Sequence, residues 1–95
     1  MERDSERLVI DVYLRTVVEA ANLLKDLVDK YINREMDTKA LQYNVSYYFD
    51  KHTELIAEGN KETGYTWLKT MHRIVGKRRI VMLSKVLEDC GITVK

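Results

Sequence analysis

The 95-residue sequence contains no proline, four glycines and a single cysteine. Turn punctuation is therefore sparse, which argues against an all-β sandwich or barrel, where a turn is needed about every 8 to 12 residues. Cys90 alone cannot close an intramolecular disulfide, and a lone thiol before Gly91 reads as a small buried apolar group in a reducing compartment. No apolar run approaches the ~18 residues of a membrane span. The start, Met1-Glu2-Arg3-Asp4, lacks the basic-then-apolar order of a signal peptide. A cytoplasmic protein is expected, in which Asn44-Val45-Ser46 fits the glycosylation pattern only formally.

What is present suits a folded domain. Hydrophobic residues make up 45% of the chain against 33% charged, with six Tyr and one Trp, too apolar a mixture for disorder. The length gives one domain, residues 1–95, with a core of modest reserve.

Three helical segments are predicted, about 5–33, 38–58 and 63–90, followed by a short tail, 91–95. In the first, Ile10, Tyr13, Leu14, Val17, Ala20, Ala21, Leu24, Leu27, Val28 and Tyr31 recur at the three-and-four spacing of one face. Ser5 or Asp4 can cap its start. In the second, an Asp37 or Thr38 cap precedes a stripe of Leu41, Val45, Tyr48, His52, Leu55 and Ile56, with Phe49 at its edge. Gly59-Asn60 is read as a left-handed stop. His52 falls on or beside the apolar face as a packed, hydrogen-bonded side chain, because no partner stands at metal-ligand spacing. Tyr43 and Tyr47, four apart on a flank, are either amphipathic packing or anchors for a partner.

The third segment carries two apolar rows. As one helix, Trp67, Leu68, Met71, Ile74, Val75, Val81, Met82 and Val86 fall within about 140°. Ile80, Leu83 and Leu87 lie near the opposite side, in line with Gly76 and Cys90. A helix apolar on two faces is central in its bundle or covered by another chain. The first helix points the same way: about 29 residues span roughly 43 Å, more than the roughly 32 Å breadth of a compact domain this size. A homodimer is therefore expected.

The 16 basic and 15 acidic residues balance only in total. Residues 1–60 hold 8 basic and 12 acidic side chains, net −4, and residues 61–95 hold 8 basic and 3 acidic, net +5. Lys69, Arg73 and Lys77 step along one line of the third segment, with Arg79 and His72 on another flank and Arg78 projecting into the apolar arc. Such a surface suits a nucleic-acid backbone. The other explanation is intramolecular, a basic helix matched to two acidic ones. A helix-turn-helix with Val75-Gly76-Lys77 as its turn fits poorly, since His72 stands where a small residue is usual and Lys77 and Lys85 where apolar residues are usual. A glycine inside one long helix accounts for Gly76 equally well.

No Gly-rich phosphate loop, no paired Cys or His at metal spacing and no nucleophile in a known motif is present. The expectation is no enzyme, no cofactor and no metal. The leading reading is an all-α three-helix antiparallel bundle with long first and third helices, open to completion by dimerisation. It is expected to serve as a protein–protein interaction module, an adaptor or an inhibitor of a larger machine, using Ile80, Leu83, Leu87, Tyr43 and Tyr47. The alternative is a nucleic-acid binder using Lys69, Arg73, Lys77 and Arg79. In length and composition the chain is similar to small accessory proteins of bacteria and their phages, a likeness that no motif residue carries.

Overall fold

The structure, a computed structural model, describes residues 14–95. Helix α1 (Val17–Ile32) starts at Thr16, extended at φ −132°, whose hydroxyl accepts the Glu19 N–H at 3.1 Å. It buries Ala20, Ala21, Leu24, Leu27 and Val28, the face read from the sequence. The helix closes with a Schellman pair: the Glu35 N–H donates to the Lys30 carbonyl and the Arg34 N–H to the Tyr31 carbonyl, with Arg34 left-handed at φ 65°. Helix α2 (Thr38–Lys51) is capped by Asp37, whose Oδ1 accepts the Ala40 N–H at 2.8 Å. Ala40, Leu41, Val45, Tyr48 and Phe49 form its buried stripe.

After His52 a single turn, α3 (Thr53–Ile56), leads into β1 (Ala57–Asn60). This strand pairs antiparallel with β2 (Gly64–Trp67), Ala57 opposite Trp67 and Asn60 opposite Gly64. The hairpin turn is held by Asn60, whose Oδ1 accepts the backbone N–H groups of Glu62 and Thr63, each at 2.9 Å. Helices α4 (Lys69–Val75) and α5 (Lys77–Asp89) follow. The tail then returns along β2, the Tyr65 N–H donating to the Thr93 carbonyl at 3.0 Å and the Lys95 N–H to the Tyr65 carbonyl at 2.7 Å.

Helix α1 lies at the centre, packing most extensively on α4 and also touching α2, α3 and α5, while α2 packs on α5. Trp67 locks the hairpin into this arrangement. It is 3% exposed, and its indole N–H donates to the Ser84 hydroxyl of α5 at 2.8 Å.

These elements correct the three-helix all-α bundle. The described residues contain five helices and a two-stranded antiparallel sheet. Among the described residues the first helix begins at Val17 and residues 14–16 are not helical, so the expected helix does not run unbroken to Asn33, and what was expected before Leu14 lies outside the described residues. The described helix has 16 residues where about 29 were expected. The second stops at Lys51, because His52 leaves helical geometry at φ −130°, ψ 42°, and Glu58 belongs to β1. Gly59 sits inside the hairpin at φ 124°, where any Cβ would collide with the Gly64 carbonyl oxygen, and caps no helix.

The third helix is divided most. Residues 64–67 are strand, and Gly76, at φ 93° and ψ 152°, breaks the remainder in a conformation that only glycine adopts without strain. The two apolar rows are thus the inner faces of two separate helices: Met71 and Val75 are buried from α4, and Ile80, Leu83 and Leu87 from α5. Val81, placed in the core by the one-helix phase, is 60% exposed, and Met82 and Val86 are half-buried.

Candidate functional site

The expected partner-binding row does not reach the surface. Ile80, Leu83 and Leu87 are 5%, 0% and 0% exposed, because the break at Gly76 lets α5 turn this row onto α1 and α2. The second apolar face, one of the two grounds for expecting a homodimer, therefore lies inside the fold.

Tyr43 and Tyr47 remain available. Four residues apart on the outer flank of α2, they are exposed and half-buried, with ring centroids 6.4 Å apart. Tyr47 is fixed on its inner side by an edge-on contact with the core ring of Tyr48 at 5.1 Å, and Lys51 Nζ sits 5.4 Å from its centroid. Tyr48 in turn stacks on the half-buried His52 at 6.4 Å. The end of α5 comes up beside this flank, so that Tyr43, Ser46, Tyr47, Asp50, Cys90 and Ile92 line a groove of about 320 Å³.

A second cleft, about 380 Å³, adjoins the groove and shares Asp50, Cys90 and Ile92 with it. Lys61, Gly64, Tyr65 and Thr93 form its far wall, and Phe49, edge-on to Tyr65 at 5.0 Å, ties that wall to α2. Cys90 is exposed, so its reading as a buried apolar group is corrected. The α5 terminus ends in its own Schellman turn, the Ile92 N–H donating to the Leu87 carbonyl at 2.8 Å, which carries Cys90 outward. The i, i+4 spacing made the tyrosines legible in the sequence. Ile92, Asp50 and Cys90 join them only through the packing of α5 on α2.

The basic residues divide. Arg79 is held in the fold, its Nε donating to Asp29 Oδ1 of α1 at 2.8 Å. Lys69, Arg73, Lys77 and Arg78 are exposed, and none of them makes an ion pair with the described residues. Arg78 projects outward and not into an apolar arc, because α5 buries its Ile80 side. Among the described residues, intramolecular charge matching therefore accounts for Arg79 and for none of these four. The chain does break at Gly76, but a one-residue link differs from the three- or four-residue turn of a helix-turn-helix.

Among the described residues no group of three or more His, Cys, Asp or Glu is placed to hold a metal ion, and no helix is long and apolar enough to cross a membrane. The described residues define a small, mostly helical fold with a β-hairpin and an aromatic groove. Residues 11–88 match the family CLB_0814_fam, described as conserved hypothetical protein, and the chain belongs to that family. No curated protein and no solved structure matches it.

Proposed function

We propose that this protein is a protein-binding module of the cytoplasm, an adaptor or inhibitor acting by surface contact and not by catalysis, and that its partner seats on the Tyr43–Tyr47 groove. The observation that carries this reading is the aromatic pair itself. Two tyrosines held on one helix flank, one with a cation over its ring, border a concavity with an aliphatic side chain, Ile92, on the opposite wall. Such rigid amphipathic rings give large contact area at small entropic cost and concentrate binding energy in interfaces. The carboxylates Glu54, Glu58 and Glu62 are exposed on the solvent side, which supports surface roles over acid–base chemistry.

The experiment compares proteins captured from a cell extract by the wild-type chain and by the Tyr43→Ser, Tyr47→Ser double variant. Loss of a defined partner with unchanged circular dichroism supports the reading, and identical capture by both chains overturns it.

A further inference from the structure

From Thr63 to Leu87 the chain contains no acidic residue and six basic ones. Among the described residues, Arg79 alone of these has an acidic partner. Lys69 and Arg73 on α4, and Lys77, Arg78 and Lys85 on α5, are all exposed and without an ion pair to the described residues. Unpaired cations on adjoining helices form a local positive field that the total of +1 conceals.

The geometry points to duplex DNA as the partner of this face: we propose that α5 enters the major groove by its N-terminal half while Lys69 and Arg73 of α4 contact the phosphate backbone. Four observations select this partner. Helices α4 and α5 contain no Phe, Tyr or Trp, and the neighbouring Trp67 is buried, so the face lacks the large rings on which a single-strand binder stacks successive bases and exposes the imidazole of His72 in their place. Ile80, Leu83 and Leu87 face inward, and at 100° per residue this turns Arg78, Val81 and Lys85 together to the outer side. Val81 is 60% exposed between two cations, a combination suited to a thymine methyl group flanked by guanine or phosphate oxygens. The acids of α5, Glu88 and Asp89, are confined to its C-terminal end, so the field orients the helix N-terminus first. The major groove of B-form DNA admits a helix, whereas the deep, narrow one of duplex RNA does not.

The test is fluorescence anisotropy of the full chain with a labelled 20-base-pair DNA duplex, the matching single strand and the matching RNA duplex, at 50 and 200 mM salt. Duplex DNA is expected to bind tightest, and four or five phosphate contacts weaken binding on the order of 100-fold over that salt range. Arg73→Glu and Arg78→Glu are each expected to weaken binding about 10-fold, an effect of one lost and reversed contact. Lys39→Glu, the same charge change at an exposed position on α2, is expected to stay within about twofold. No DNA binding at 50 mM salt, equal losses in all three variants, or single strand or RNA duplex bound as tightly as duplex DNA overturns the proposal. Because each substituted residue is exposed, circular dichroism of the variants is expected to be unchanged, and two variants on the face guard against one misfolding.

Discussion

Arg79 of α5 donates through Nε to Asp29 Oδ1 of α1 at 2.8 Å, joining a basic helix to the central one. Both side chains are about a third exposed, 34% and 36%, so solvent screens the pair. Asp29→Asn is expected to lower stability by no more than about 1 kcal/mol in urea unfolding. By freeing Arg79 it is also expected to raise affinity for duplex DNA and steepen its salt dependence, since one further cation becomes available. A larger stability loss would mean that the pair is better shielded than its exposure indicates.

The Trp67–Ser84 hydrogen bond fastens the hairpin to α5. Ser84→Ala leaves the indole N–H of a ring that is 3% exposed without its acceptor. The expected cost is about 1 to 2 kcal/mol, read as a lower urea midpoint with the slope unchanged.

Gly76 has ample room for a methyl group, the nearest atom to an added Cβ being Arg79 Nη1 at 3.9 Å, so the penalty of Gly76→Ala is conformational. At φ 93° and ψ 152° the expected loss is about 2 kcal/mol. Were α4 and α5 one helix, the same change would stabilise the chain by about 1 kcal/mol. The sign of the effect in thermal unfolding decides between them.

Arg34 occupies the left-handed position of the α1 Schellman turn at φ 65°, where a side chain is strained. Arg34→Gly is expected to raise stability by up to about 1 kcal/mol, and Arg34→Val to lower it, by differential scanning calorimetry.

Asn44 is 1% exposed, and its amide nitrogen donates to the Ala40 carbonyl at 2.7 Å while Oδ1 has no partner among the described residues. Replacing it by Leu, of similar volume, removes the orphaned acceptor and leaves the Ala40 carbonyl its helical partner. A neutral or stabilising change is expected, whereas Asn44→Asp buries a charge and is expected to destabilise by several kcal/mol.

Local pattern determined much of this protein. The three-and-four recurrence of Ala20, Ala21, Leu24, Leu27 and Val28 identified the buried face of α1, and Asp37 marked the start of α2, because helix phase and capping are set by neighbours within one or two turns. The stop at Cys90-Gly91 was legible for the same reason. Tertiary structure decided the rest. Four-residue strands such as Ala57–Asn60 and Gly64–Trp67 are too short to alternate visibly, and pair because Trp67 finds its place on α5. Two apolar rows on one apparent helix carried the signature of a phase reset at Gly76, but a periodic pattern does not reveal whether the chain bends there or a partner covers the second row. Packing resolved it by turning Ile80, Leu83 and Leu87 inward, which left Tyr43 and Tyr47 and the unpaired cations of α4 and α5 on the surface. Which side of a helix meets solvent is fixed by the elements that surround it, and those are brought together only by the folded chain.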